Sequence, residues 1–117
     1  MPTVQLRRIY DEPSPDDGHR VLIDGLWPRG IRKDAGTFDE WARELAPTAE
    51  LRKWFSHTPE RFAEFERRFR AELAQRDEAQ ATLLRLAQEP ALTLLFAARD
   101  EEHNHAVVLA RVLDEMR

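Results

Sequence analysis

The chain has 117 residues, 18 basic against 22 acidic side chains (net charge −4), and no cysteine. That length suits one domain over residues 1–117 with one core, and 42% apolar with 34% charged residues describes a folded chain, not a disordered one. A disulfide scaffold, a thiolate zinc site, an iron–sulfur cluster and a cysteine nucleophile are excluded by composition. The longest apolar run, residues 92–98, is too short to span a bilayer, and no apolar segment follows the charges of residues 1–8 as it would in a secretory signal. A cytoplasmic protein with no membrane partner is the default expectation. The stretch 51–76 is basic, seven against four, but both flanks are acidic. Bulk duplex DNA is not an expected partner, because phosphate neutralisation needs a basic balance. A focused site for a small anion fits.

Val4 and Leu6 alternate within residues 3–10, which predicts a strand with one wet face at a sheet edge. Residues 11–18, with two prolines and a glycine, read as a surface loop. Val21-Leu22-Ile23, ending at Asp24, is apolar on both faces and predicts an interior strand. Thr37 with Glu40 three residues on matches a capping box, and Phe38, Trp41 and Leu45 then predict a helix that stops before Pro47. Thr48 opens a helix carrying Leu51, Trp54 and Phe55, and Thr58-Pro59 opens a long one with Phe62, Phe65, Phe69 and Leu73 on a single stripe. That stripe is core, and the interleaved Arg67, Arg68, Arg70 and Glu64, Glu66, Glu72 make its solvated face. A helix over 79–89 ends at Pro90, residues 92–98 form a second buried strand, and a last helix carries Val108, Leu109, Val112, Leu113 and Met116. The expected fold class is α/β: a mostly parallel sheet of about three strands with helices on both faces.

Both interior strands run straight into polar, ionisable segments: Asp24-Gly25-Leu26-Trp27-Pro28-Arg29-Gly30 and Arg99-Asp100-Glu101-Glu102-His103-Asn104-His105. In open α/β sheets, ligands bind in the crevice beyond the carboxyl ends of the strands. If the two strands are parallel neighbours, both segments open onto that crevice. Asp24 is then a candidate general base or hydroxyl anchor, or a carboxylate that caps its own turn. Trp27 is a stacking surface or a core ring, and Arg29 is an anion fork or a surface ion pair. Asp100, His103, Asn104 and His105 run into a helix start, where free N–H groups favour an anion and a neutral imidazole suits base work. An acid-rich first turn that complements the dipole explains Glu101 and Glu102, but not two histidines. Arg99 and His57 complete the candidates. Histidines at i and i+2 do not share a helix face, and no His-Glu-x-x-His is present, so no metal is expected. Gly-x-Gly-x-x-Gly, P-loop and Gly-x-Ser-x-Gly patterns are also missing, so no cofactor is expected either.

The segments 21–30, Glu44-Leu45-Ala46-Pro47, Leu51-Arg52-Lys53-Trp54-Phe55 and Asp100-Glu101-Glu102-His103-Asn104-His105-Ala106 together resemble the YeaO-like proteins, the short branch of the bacterial family called domain of unknown function 488. The resemblance spans nearly the whole chain. It implies a small Rossmann-like domain and no particular activity. Longer members place Asp-x-Arg after the equivalent strand and Cys-His-Arg at the start of the last helix. Asp24 and His105 match those patterns, whereas Asn104 stands at the cysteine position, Ala106 at the arginine, and Gly25 where the short branch tends to have arginine. Thiol chemistry therefore does not carry over.

Three functions fit the sequence. The first is a small enzyme using Asp24 and His105 for acid–base chemistry on a phosphate-bearing or nucleotide-like substrate, with Arg29 holding the anion and Trp27 covering it. The second is a non-catalytic module binding a small anionic ligand or nucleotide, or a modified nucleic acid, in the same crevice. The third is a homodimerising interaction domain, which requires Trp41 or Trp54 to lie exposed in a patch.

Overall fold

The computed structural model describes residues 4–32 and 36–117. Four strands, β1 (Val4–Arg8), β2 (His19–Leu22), β3 (Glu40–Trp41) and β4 (Leu92–Phe96), form one sheet in the order β1-β4-β2-β3, every pair parallel. Helices α1 (Ala49–Phe55), α2 (Phe62–Ala74), α3 (Asp77–Leu86) and α4 (His105–Met116) complete the α/β architecture. The two interior strands are β4 and β2, with Val21 opposite Leu94 and Leu22 opposite Leu95. All five residues of β4 are buried, as its uninterrupted apolar run requires of a strand covered on both faces.

The layering is uneven. Val21, Ile23, Leu92, Leu94 and Phe96 pack on one face with the buried sides of all four helices. Leu22, Leu95 and Ile9 lie on the other, covered by Ile31, Phe38 and Trp41 from loop and edge-strand segments. The second layer is therefore coil and short turns where helix was expected. A two-residue connection such as Gln75-Arg76 between Ala74 and Asp77 keeps successive helices on the side they start on.

The predicted helix over residues 38–45 does not form. Glu40 and Trp41 instead add a fourth strand beside β2, through the bonds Asp39 N–H to Arg20 O and Ala42 N–H to Leu22 O (both 2.8 Å). Both halves of the supposed capping box have other partners. The Glu40 carboxylate binds His19 and Arg85, and the Thr37 carbonyl accepts from Arg20 Nε. Tertiary bonds available only beside β2 outweigh a local cap worth about 1 kcal/mol. Only Arg43–Leu45 turns, as a 3-10 segment. The other helices match their expected stripes: Phe65, Phe69 and Leu73 of α2 are fully buried, as are Val108, Leu109 and Leu113 of α4. Thr48 caps α1 by accepting from Leu51 N–H, whereas Thr58 opens a 3-10 turn, Pro59–Arg61, without a side-chain cap.

Beneath the loop-covered face lies an ion pair. Asp17, 1% exposed, binds the guanidinium of Arg20 and accepts from Ser14 N–H, and its own carbonyl accepts from Thr93 Oγ1 on β4. Burial alone raises the Asp17 carboxyl, but the Ser14 N–H and the Arg20 and Arg7 guanidinia overcome it and hold it below the ordinary value of 3.8. The next residue, Gly18, sits at φ +65° with the Ala91 carbonyl 2.4 Å from where a Cβ would be, so no other residue fits that turn. Because the native carboxyl is depressed, its contribution is complete above pH 3.8 and is lost as pH falls below it. Asp17→Ala, which strands Arg20, should cost about 3–5 kcal/mol by urea unfolding at pH 7. It should also flatten the loss of stability between neutral and acid pH.

Candidate functional site

Parallel pairing puts the carboxyl ends of β2 and β4 side by side, and both chains leave the sheet there. Asp24 lies two residues beyond β2. Its Oδ2 accepts from Ala97 N–H just past β4 (3.0 Å), so the carboxylate fastens the two strand ends together. His105 opens α4 and turns back to the same place. Its Nε2 lies 3.1 Å from the Ile23 carbonyl and 3.2 Å from Asp24 Oδ1. Both neighbours are acceptors, so Nε2 carries a proton and Nδ1 is the ring's remaining polar atom. The side chains are 19% and 14% exposed. Sequence reasoning placed these two groups within about 10 Å, the span of one small ligand. They are in direct contact.

The surrounding cleft holds about 500 Å³ and is lined by residues from every segment that reaches this edge: Tyr10 after β1, residues 24–29 after β2, Ala46, Pro47, Arg52 and Phe55 at α1, Phe65 of α2, and Ala97 and Ala98 after β4. Trp27 is both a core ring and a wall. It packs edge-on against Trp41 and tilted against Phe38, each at 5.3 Å, and its Nε1 donates to Ile31 O, while the indole also lines the cleft. Leu26, 68% exposed, stands at the rim.

The remaining candidates divide into two groups. Asn104 lines the cleft but is structural: it caps α4 by accepting from Val107 N–H, and its amide donates to the Asp100 carbonyl. Asp100 and His103 build the loop before it. The Asp100 carboxylate accepts from the Glu102 and His103 N–H groups and faces His103 Nδ1, and the Glu102 bond leads the causes that lower its pKa. The His103 ring packs edge-on against Phe62, outside the cleft. Arg29 and His57 do line the cleft, whereas Arg99 lies in an adjoining depression. Among the described residues no three His, Cys, Asp or Glu side chains gather as a metal group.

Sequence reasoning passed over Arg52. It sits on a short helix whose apolar stripe drew attention to its neighbours, yet its guanidinium borders the cleft. The informative point is which partners its side chain has in the fold. Of sixteen arginines, twelve bind an acid, a carbonyl or an aromatic face through the side chain, for example Arg70 on Glu66 and Glu115, or Arg76 on the carbonyls of Glu44 and Ala46, and Arg32 also has a partner. Arg29, Arg52 and Arg99 are the ones whose guanidinium makes no hydrogen bond or ion pair among the described residues, and all three stand at this edge of the sheet.

A family model described as "Inactive DUF488-N3 subclade" matches residues 3–117. The chain belongs to the DUF488 family. The uncharacterised protein YeaO of Escherichia coli K12 is 43% identical over 107 residues, covering 92% of this chain and 93% of its own. Uncharacterised proteins of Mycobacterium tuberculosis and Mycobacterium bovis are 43% identical over 111 residues, covering 95% and 93%. No solved structure matches significantly. Two positions in the segment before and at the start of α4 have plain structural roles in this DUF488 member: Ala106 is fully buried in the core, and Asn104 serves the helix cap.

If the Asp24–His105 contact braces the strand ends, Asp24→Ala and His105→Ala should each cost about 1–3 kcal/mol in urea unfolding. The double variant should cost less than the sum, by at least about 0.5 kcal/mol.

Proposed function

We propose that the protein is a non-catalytic binding module for a small ligand that joins a phosphate-type anion to an apolar, flat portion. The observation that carries this is the pair of arginines with unpartnered side chains, Arg29 and Arg52, lining a cleft walled also by Trp27, Phe55 and Phe65. A chain that pairs its arginines elsewhere leaves these two free where the cleft opens. Their planar donors suit the oxygens of phosphate or carboxylate. A cleft of about 500 Å³ is within the range of small-molecule sites. The binding reading also agrees with the description of the matching subclade as inactive.

One observation favours a second reading, acid–base catalysis: a carboxylate 3.2 Å from an imidazole whose Nδ1 is left over. The orientation resembles that of a base held by an acid. However, Asp24 and His105 also close the Ala97 N–H and Ile23 carbonyl at the strand ends, a sufficient structural reason for both.

A thermal-shift screen of nucleoside monophosphates, sugar phosphates and inorganic phosphate tests the proposal. A true ligand at 100 times its Kd should add about 2.7 kcal/mol of apparent stability. Arg29→Ala or Arg52→Ala should weaken it by about 1.5–3 kcal/mol and leave the unliganded protein within about 0.5 kcal/mol of wild type. Shifts that are equal in variants and wild type would overturn the binding reading. Turnover of a bound phosphate compound, abolished in His105→Gln, would decide for catalysis.

A further inference from the structure

We infer that the ligand carries two separate phosphate groups, the second held by Arg99 across a divide formed by His57. This inference rests on the binding reading above and names the ligand class more narrowly. Next to the main cleft lies a second depression of about 430 Å³, lined by His57, Ala97, Ala98, Arg99 and Asp100. It shares His57, Ala97 and Ala98 with the main cleft, so the two are neighbouring compartments along one edge of the sheet. Each has its own unpartnered guanidinium: Arg29 and Arg52 in the first, Arg99 in the second.

The partition is built by backbone that resists forming by chance. Ser56 and His57 take φ values of +48° and +53°, two consecutive non-glycine residues in the left-handed region, where L side chains are uncommon and strained. The turn is secured by Ser56 N–H to Arg52 O and Thr58 N–H to Phe55 O. It places His57, just past the end of α1, in the wall that both compartments share. The floor of that wall is the pair Ala97–Ala98. Their carbonyls are taken by Arg8 (2.9 and 3.0 Å), which withdraws two oxygen dipoles that would otherwise repel an anion crossing from one side to the other. Asp100 is the acid in the second compartment. Its carboxylate is turned onto the Glu102 and His103 N–H groups and the His103 ring, so its charge is largely answered by its own loop.

Three free guanidinia, two on one side of a histidine and one on the other, suit two anionic groups spaced along a ligand better than one group or a single polyphosphate chain. Matched probes separate these cases by isothermal titration: adenosine 5′-monophosphate against adenosine 3′,5′-bisphosphate, and fructose 6-phosphate against fructose 1,6-bisphosphate. Adenosine 5′-diphosphate serves as a control that concentrates added charge at one end. At least one bisphosphate should bind about 10–100-fold more tightly than its monophosphate, as an added charge-assisted contact allows, and more tightly than the diphosphate. Arg99→Ala should erase that gain and leave monophosphate affinity unchanged, whereas Arg52→Ala should weaken both members of the pair. A bisphosphate no tighter than its monophosphate, or a gain that persists in Arg99→Ala, overturns the two-site inference while leaving the single-anion reading intact. If no monophosphate binds in an Arg52-dependent way, the single-anion reading itself fails.

Discussion

The structure depends on β4. Leu92–Phe96 is buried on both faces and flanked on both sides by parallel strands, so its backbone groups are satisfied by β1 and β2 and its side chains by two opposed layers. Parallel pairing leaves no freedom in where the chain emerges. β1, β2 and β4 all end at one edge, and the segments after them are polar because that edge is not covered by the helices. The cleft is the space those segments leave between them and the start of α4.

That edge is held by polar bonds rather than by packing. Asp24 spans from the end of β2 to Ala97, His105 reaches back to Ile23, Arg8 gathers the carbonyls of Ala97 and Ala98, and Trp41 Nε1 donates to the Asp24 carbonyl. Buried or half-buried backbone groups that leave a sheet must find partners, and here ionisable side chains supply several of them. Asp24 and His105 thus meet for a reason that precedes any chemistry. Their proximity is what a catalytic pair requires, but it is equally what the ends of two neighbouring strands require.

Electrostatics divides the surface more sharply than the cleft's shape does. On the helical side, charges are spent on one another: Arg67 and Arg68 on Glu64, Arg70 and Arg111 on Glu66, Arg85 on Glu40. Such exposed pairs are each worth little. Trp54 lies under the guanidinia of Arg61 and Arg68, and Trp41 packs on Trp27 with Arg43 over its ring. Neither is the exposed aromatic patch that a dimer interface would need. Arg29, Arg52 and Arg99, the arginines whose side chains have no partner among the described residues, stand at the strand ends.

Much of this was legible in one dimension. A run apolar on both faces has no stable place except inside a sheet, so Val21–Ile23 and residues 92–98 identified the interior strands, the second ending at Phe96 in the structure, and polar residues after them located the site edge. The spacing of Phe65, Phe69 and Leu73 likewise determined α2, because a stripe at helical period buries only as a helix. Residues 38–45 show where local pattern stops deciding. Thr37, Glu40, Phe38 and Trp41 satisfy a helix start, yet the hydrogen-bonding edge of β2, with Arg20 and Arg85 beside it, offered Glu40 and Trp41 more than a cap could. Only the tertiary structure brought Arg52 and Tyr10 to the cleft, since they come from segments remote in sequence from the two strand ends. It also decided that Asn104 caps a helix, that Trp27 is shared between core and cleft, and which arginines have partners. Pairing is a property of neighbours in space, and composition reports only how many charges there are, not which of them are left over.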